Sequence, residues 1–225
     1  MMIVRLPGVY PPQQDTSLLN DALLAHSLTP RTRVLDLCAG TGALSVAAAK
    51  AGAGHVVAVD IARRACLNAR LNAVAAGKRI DVRRGDLTAA VQGELFDLVV
   101  SNPPYVPALG DELPTSGIER AWDAGKDGRA LLDRIALSCA EVLAPGGTLL
   151  LLQSALCGVQ KTETILEECG LTVTVAARSF VPFGPVMRAR RAILEQRGLI
   201  VTGQDTEELV VLRATKSAPS TSTMA

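Results

Sequence analysis

Short apolar runs alternate along the chain with segments whose apolar residues recur at helical spacing. The runs predict seven strands: Arg33–Leu37, Val56–Asp60, Ile80–Val82, Phe96–Ser101, Thr148–Leu152, Leu171–Ala177 and Glu207–Arg213. Helical segments separate the first six strands, an order typical of a parallel sheet covered by helices. No clean helical crossover precedes the last strand. We therefore predict an α/β fold, a doubly wound seven-stranded sheet whose last strand is antiparallel.

A long segment without periodicity, Pro103–Asp127, follows the fourth predicted strand. A loop of this length inside a compact domain is usually functional or disordered. The only tryptophan, Trp122, lies in this segment, and we interpret it as an anchor that packs on the core. The segment is a candidate part of a functional site.

Length and composition predict a single domain at residues 1–216. The chain has 225 residues, of which 48% are hydrophobic and only 3% aromatic, so a sizeable aliphatic core can be buried. Residues 217–225 are polar and of low complexity, which predicts a disordered tail.

Two parts of this domain lie outside the predicted sheet. Residues 8–30 are predicted to form an N-terminal capping segment, in which Asp15 or Thr16 can cap the first helix. Residues 178–203 carry an arginine-rich helix and are predicted to be a basic insertion before the last strand.

Charge, cysteine and histidine content argue against several classes of function. The net charge of +1 argues against a general affinity for nucleic acid. Five scattered cysteines and two histidines provide no ligand cluster, so no metal site and no disulfide framework are predicted. No apolar run is long enough for a signal peptide or a membrane span. We expect a soluble, cytoplasmic protein with free thiols.

A glycine-rich turn follows the first predicted strand. Asp36 ends the strand, and Cys38, Gly40 and Gly42 follow it before a helix begins. Glycines at such a turn let the backbone approach a ligand, and the helix N-terminus offers free N–H groups. Ser45 stands where the dinucleotide fingerprint has its third glycine, which disfavours a site of the NAD type.

Carboxylates follow the first three predicted strands, namely Asp36, Asp60 and Asp86. Asp60 has the spacing from the glycine turn at which an acidic side chain meets ribose hydroxyls. Asp86 can accept a hydrogen bond from an adenine amine. Because parallel strands end at one edge of a sheet, the three carboxylates are predicted to converge on a ligand with ammonium, ribose and adenine groups.

The sequence Asn102-Pro103-Pro104-Tyr105 directly follows the fourth predicted strand. The prolines make the backbone rigid and leave its carbonyl groups as acceptors. The Asn102 side-chain carbonyl and the Pro103 carbonyl can accept both hydrogens of an –NH2 group, while Tyr105 offers an aromatic face. Such acceptors favour the positive charge that develops when a planar nitrogen attacks a methyl group. These four residues are the predicted catalytic residues of an N-methyltransferase.

The motifs DLCAGTG, AVD, GDL and SNPPYV, in this order, are similar to those of class I methyltransferases of the small-domain type. GVYPPQQDTSLL before them and GIERAWDAGKDGRALLDR after them resemble the HemK-type protein-(glutamine-N5) methyltransferases. The match is with their short, archaeal and eukaryotic branch. The resemblance implies a Rossmann-like fold, S-adenosylmethionine as cofactor, and methylation of the glutamine in the Gly-Gly-Gln loop of class 1 release factors. It also implies that a small zinc-binding activator subunit is a possible partner.

The resemblance also implies roles for individual residues. Thr16 would bind the carboxylate end of the cofactor, Asp60 its ribose, and Asp86 and Leu87 its adenine. The methionine moiety would be lined by Asp36, Cys38, Gly40 and Gly42. Asn102, Pro103, Pro104 and Tyr105 would hold the target glutamine, with Asn102 also contacting the cofactor.

Two alternatives remain open from the sequence. One is methylation of a base amino group in rRNA or DNA, with arginines of residues 61–84 and 178–197 binding phosphates. The other is a partner subunit with the same fold and no turnover. Phe180–Gly203 matches no part of the short family members and is interpreted as a lid, a docking element, an RNA-binding appendage or a solvated helix.

Overall fold

Seven strands form one sheet in the computed structural model, which describes residues 3–218. The strands are β1 (Arg33–Leu37), β2 (His55–Asp60), β3 (Asp81–Arg84), β4 (Phe96–Ser101), β5 (Leu143–Ser154), β6 (Leu171–Pro182) and β7 (Thr206–Lys216). The α-helices are α1 (Gln14–Leu24), α2 (Ala43–Lys50), α3 (Arg63–Ala75), α4 (Ala130–Val142), α5 (Val159–Glu168) and α6 (Pro185–Gln196). All seven predicted strands are present.

The strand order is β3-β2-β1-β4-β5-β7-β6. β1 pairs in parallel with β2 and β4, and β5 continues the parallel part beside β4. β7 runs antiparallel to both β5 and β6. The predicted α/β class and the antiparallel last strand are confirmed. Because the strand order reverses between β1 and β4, a crevice opens there at the carboxyl ends of the strands.

The sheet is buried on both faces, as its continuous apolar strands require. In β5, Leu149 and Leu151 point into a core shared with α4 and α5, while Leu150 and Leu152 point into a core shared with α1 and α2. All four side chains are fully buried. This two-sided burial holds the strand ends in place, and with them the residues that follow each strand.

Predicted boundaries differ from the structure at α1 and at β6. α1 begins at Gln14, with Gln13 at the N-cap position and no side-chain cap, so the prediction that Asp15 or Thr16 caps this helix is wrong. Asp15 is buried in the first turn instead. β6 continues to Pro182, because it stays paired with β7 beyond Ala177. The predicted insertion at residues 178–203 therefore leaves the sheet only after Pro182, as α6 and the residues on either side of it.

Residues 219–225 of the predicted tail lie outside the described residues. Within residues 3–218, no helix is both long enough and apolar enough to cross a membrane. The same residues contain no cluster of three or more histidine, cysteine, aspartate or glutamate side chains that could hold a metal ion.

Candidate active site

A cavity of about 410 Å³ opens where β1, β2, β3 and β4 end. Of the predicted cofactor-binding residues, those bordering it are Thr16, Cys38, Gly40, Asp60, Asp86, Leu87 and Asn102. Residues of the N-terminal segment and of the loop after β4 close its sides, among them Val9, Tyr10, Leu113, Ile118 and Arg120. Strand topology thus brings together residues that lie far apart in the sequence.

The turn between β1 and α2 brings the backbone to the cavity. Cys38 and Gly42 have φ angles of 59° and 75°, in the left-handed region that favours glycine. A Cβ atom on Gly42 would lie 2.9 Å from the Cβ of Ala69 on α3, so only glycine allows this close packing. Among the described residues, Cys38 and Gly40 line the cavity and Gly42 does not. Gly42 packs against Ala69 instead.

Asp60 ties the ends of β1 and β2 together beside the cavity. Its carboxylate accepts hydrogen bonds from the backbone N–H groups of Gly40 at 2.9 Å and Ala62 at 2.8 Å. Burial raises the pKa of Asp60, and the two backbone donors oppose that rise. A carboxylate has acceptor sites left after two such bonds. Asp60 can therefore accept ribose hydroxyls in the cavity.

Asp36 lies beneath the turn and outside the lining of the cavity. One carboxylate oxygen accepts from the backbone N–H and the hydroxyl of Ser45, at 3.0 and 2.5 Å. Its other oxygen has no hydrogen-bond partner among residues 3–218. Burial raises the pKa of Asp36 to about 7. The serine in place of a third glycine therefore supports the turn from below, and contact between Asp36 and a cofactor stays a prediction.

Asp86 borders the cavity at its outer side. Arg134 of α4 forms an ion pair with it at 2.7 Å, and both side chains are about half exposed. Leu87 follows with a φ of 50° and a buried side chain. An arginine partner leaves further acceptor sites on the carboxylate, so Asp86 can still accept from an amine.

Asn102 stands where the cavity meets a second, narrow pocket. Its side-chain nitrogen donates to Asp15 at 3.0 Å. Asp15 is only 6% exposed, and a carboxylate can only accept here, so the Asn102 carbonyl oxygen must point away from it. The narrow pocket measures about 40 Å³. It is lined by Tyr10, Asp15, Asn102, Pro103, Pro104, Tyr105, Val106, Ala121 and Trp122.

Trp122 closes one side of the narrow pocket. Its ring meets Tyr10 in an edge-on contact with ring centroids 6.1 Å apart. The backbone carbonyl of Trp122 accepts a hydrogen bond from the N–H of Val106, the residue that follows the predicted catalytic residues. Trp122 is half-buried and forms a wall of the pocket, while its packing on the core stays a prediction.

The family model described as Methyltransferase small domain matches residues 1–116. The chain belongs to this family. Residues 1–116 carry the glycine turn, all three carboxylates and the Asn102–Tyr105 motif. The predicted class of enzyme and its cofactor are thereby confirmed: the chain is a methyltransferase that uses S-adenosylmethionine. The apolar walls and carboxylates of the large cavity suit a ligand with cationic, ribose and adenine parts.

Two relatives with curated names show how far the similarity extends. A chain from Methanocaldococcus jannaschii, provisionally named as a protein N5-glutamine methyltransferase, is 39% identical over 181 residues, which are 80% of this chain and 90% of that one. The release factor glutamine methyltransferase of Mycolicibacterium smegmatis is 38% identical over 149 residues. Those are 63% of this chain but 52% of the relative, so this methyltransferase matches about half the length of the second protein.

Solved structures show the same fold. The Mtq2–Trm112 complex of E. cuniculi, described as responsible for methylation of the termination factor eRF1, contains a chain that superposes with a TM-score of 0.62 at 24% identity. The superposition covers 93% of this chain and 99% of that chain. A T. thermophilus 16S rRNA methyltransferase in complex with AdoMet and guanosine superposes at 0.57, with 24% identity over 94% of this chain and 46% of that one.

Sequence reasoning missed several residues of this methyltransferase site. Asp15 was considered only as a helix cap, and its position next to the predicted cofactor residue Thr16 was the available signal. No local sequence pattern predicted the ion pair of Arg134 with Asp86, because the packing of α4 on the sheet brings the two residues together. The loop that contains Leu113 to Ala121 was predicted as a candidate part of a functional site from its length, but the sequence indicated none of these individual residues as lining the cavity.

Proposed function

We propose that this methyltransferase transfers a methyl group to the side-chain amide nitrogen of a glutamine in a translation release factor. The orientation of Asn102 is the observation that carries the proposal. Its nitrogen is bound to buried Asp15, so its carbonyl oxygen is available to accept from a target –NH2 group. The names of the curated relatives support glutamine as the target.

The size of the narrow pocket supports an amide over a nucleobase. At about 40 Å³, the pocket has roughly a tenth of the volume of the large cavity. A carboxamide has three heavy atoms, whereas enzymes that modify a base must admit the whole ring system. The pocket shares Asn102 and Pro104 with the large cavity, so an amide in it lies beside the cofactor site.

The arginine clusters also favour a protein substrate. In the first cluster, Arg70 donates to the carbonyl of Val82 and Arg84 to that of Ile61. In the second, Arg190 and Arg197 donate to main-chain carbonyls of the loop after β4. Arginines that bind protein acceptors have fewer donors left for phosphates, so we do not propose a nucleic-acid substrate.

For the cofactor, we propose the roles that the sequence suggested for the residues that border the large cavity. Asp60 holds the ribose, Asp86 and Leu87 the adenine, Cys38 and Gly40 the methionine moiety, and Thr16 its carboxylate end. S-adenosylmethionine supplies a methyl group activated on a sulfonium. The remaining catalysis belongs to the residues that hold the amide.

Those residues act by position and by charge. An amide nitrogen is a poor nucleophile because its lone pair is delocalised. The carbonyl oxygens of Asn102 and Pro103 accept its two hydrogens and stabilise the positive charge that grows as the nitrogen–methyl bond forms. The methyl–sulfur bond breaks as this bond forms, the sulfur leaves as a neutral thioether, and the nitrogen then releases one proton. Tyr105 stacks on the amide plane and, with the rigid prolines, keeps the nitrogen directed at the cavity. The buried Asp15 carboxylate holds Asn102 in this orientation.

We further propose that the chain works with a small activator subunit. The support is the E. cuniculi complex, whose fold match covers 93% of this chain. Co-expression with a candidate subunit, followed by size-exclusion chromatography and zinc analysis of the complex, tests this proposal. A chain that is fully active as an isolated monomer would contradict it.

Transfer of a labelled methyl group tests the proposed substrate. The chain, alone and with a candidate activator, is incubated with labelled S-adenosylmethionine and a release factor domain that contains Gly-Gly-Gln. A domain with Asn in place of that Gln and a pool of rRNA are the matched controls. Label on the Gly-Gly-Gln domain alone supports the proposal, whereas label on RNA alone, or equal label on the Asn variant, contradicts it.

A further inference from the structure

Helix α6 packs directly on the loop that follows β4. Its buried residues Met187 and Leu194 join Phe183 and Ile200 in a small core, and Val106 of the loop packs against that core. We call residues 106–126 the pocket wall, since they contain Ala121 and Trp122 of the narrow pocket. The helix therefore packs behind the pocket wall.

Arg190 of α6 binds the pocket wall through two groups. Its guanidinium forms an ion pair with Asp123 at 2.6 Å and donates to the carbonyl of Pro107 at 2.9 Å. The side chains of Arg190 and Asp123 are 17% and 13% exposed. Asp123 directly follows Trp122 and forms a bridge with Val106. One arginine thus joins the two ends of the wall at the residue beside the pocket tryptophan.

Arg197, just after α6, adds a second attachment. It donates to the carbonyl groups of Ala108 at 2.6 Å and Leu109 at 2.7 Å. A longer bond of 3.3 Å reaches the carbonyl of Lys126. These carbonyls belong to a loop without regular pairing partners, so the arginine holds the backbone of the wall near both of its ends.

We propose that Arg190 is a positioning residue for the substrate pocket: it holds Asp123, and through it Trp122, in the place that shapes the narrow pocket. The role in catalysis rests on the proposed function, while the structural part does not. Arg190 is far in sequence from the cofactor motifs and contacts the wall at residues 107 and 123. Because Asp123 also borders the large cavity, loss of Arg190 is expected to weaken use of the protein substrate more than it weakens cofactor binding.

The single tryptophan makes the structural part directly measurable. Arg190→Gln removes the ion pair, and the expected result is a red-shifted Trp122 emission with stronger quenching by acrylamide. Arg188→Gln is the matched control, since Arg188 lies on the same helix but donates to the carbonyl of Phe183, outside the wall. Unchanged quenching in Arg190→Gln, or an equal change in Arg188→Gln, would overturn the proposal.

Steady-state kinetics measure the catalytic part. In Arg190→Gln, kcat/KM for the Gly-Gly-Gln domain should fall about tenfold or more, because Asp123 loses the partner of a largely buried ion pair and the wall is no longer fixed. The dissociation constant for S-adenosylmethionine should rise by a clearly smaller factor. Arg190→Lys should recover part of the loss, because it keeps the charge but not the planar fork. An equal loss of cofactor affinity would overturn the assignment to the substrate pocket.

Asp123→Asn keeps the test decisive if Arg190→Gln does not fold. It leaves Arg190 and its bond to Pro107 in place, and it should show the same fluorescence change. Combined with Arg190→Gln, it should add little further loss, since both remove one interaction. Additive losses would mean that the two residues act separately. If the wild type does not methylate the Gly-Gly-Gln domain, the proposed function fails, yet the fluorescence result still decides whether Arg190 positions the wall.

Discussion

The two sides of the cavity are built in different ways. On the cofactor side, Asp60 bonds to Gly40 and Ala62, and all three lie at the ends of neighbouring parallel strands. On the substrate side, Asn102 and the pocket wall are held by residues of α1 and of α6 and its C-terminal flank, more than 60 residues away in the sequence. The structure of the cofactor side follows from strand topology, while that of the substrate side depends on side chains that other helices contribute. Substitutions should therefore separate the two sides cleanly.

The largest effect is expected from Asn102→Ala. It removes an acceptor whose bond to the amide strengthens as positive charge develops, so the loss should fall on kcat more than on substrate binding. Removing one such group costs roughly 10²–10³-fold in rate. Single-turnover kinetics with the Gly-Gly-Gln domain measure it, and calorimetry of cofactor binding serves as the control. A variant with the turnover of the wild type would show that Asn102-Pro103-Pro104-Tyr105 is only a structural turn.

A smaller effect, on the opposite side, is expected from Asp60→Asn. The amide keeps one acceptor but loses the negative charge that strengthens hydrogen bonds from ribose hydroxyls. Cofactor affinity should fall roughly 10- to 100-fold, the effect of losing charge assistance in such bonds. At saturating cofactor, kcat should remain within a small factor of the wild type. Calorimetric affinity equal to that of the wild type would remove Asp60 from the cofactor site.

The smallest effect on activity is expected from Asp36→Asn, which should instead change stability and its pH dependence. Burial raises the pKa of Asp36 from 3.8 to about 7, so between these values the folded chain holds a proton that the unfolded chain has lost. Stability from this group is therefore full below pH 3.8 and falls as pH rises towards 7. Asp36→Asn should lack this fall. Thermal unfolding from pH 4.5 to 8 measures it, and parallel curves for both proteins would contradict it.

Much of the cofactor side could be predicted from the sequence because its residues are tied to strand ends. Gly40 and Asp60 follow apolar runs that form buried strands, and parallel strands end at one edge of the sheet. Asp36 shows the limit of this reasoning. Its position after β1 predicts a place near the cavity, but only the structure shows that Ser45 holds its carboxylate below the turn.

The substrate side was predicted only in part. Asn102, Pro103, Pro104 and Tyr105 were recognisable as a rigid segment with aligned acceptors. The arginines of α6 were not, because a charged helix face has the same sequence pattern whether it meets solvent or a loop. In the structure, Arg190 of α6 and Arg197 just after it bind carbonyls of the loop that follows β4. The arginine face of α6 is therefore not fully solvated.

The sequence by itself determined the sheet, its antiparallel last strand, the family and the position of the catalytic motif. These depend on local periodicity, turn residues and apolar runs, which act within a few residues of one another. Only the tertiary structure decided how Asn102 is oriented, where Asp36 points and what α6 binds. Each depends on one contact between segments distant in the chain, such as Asp15 with Asn102 or Arg190 with Asp123. Helix packing sets such contacts, and no local pattern encodes them.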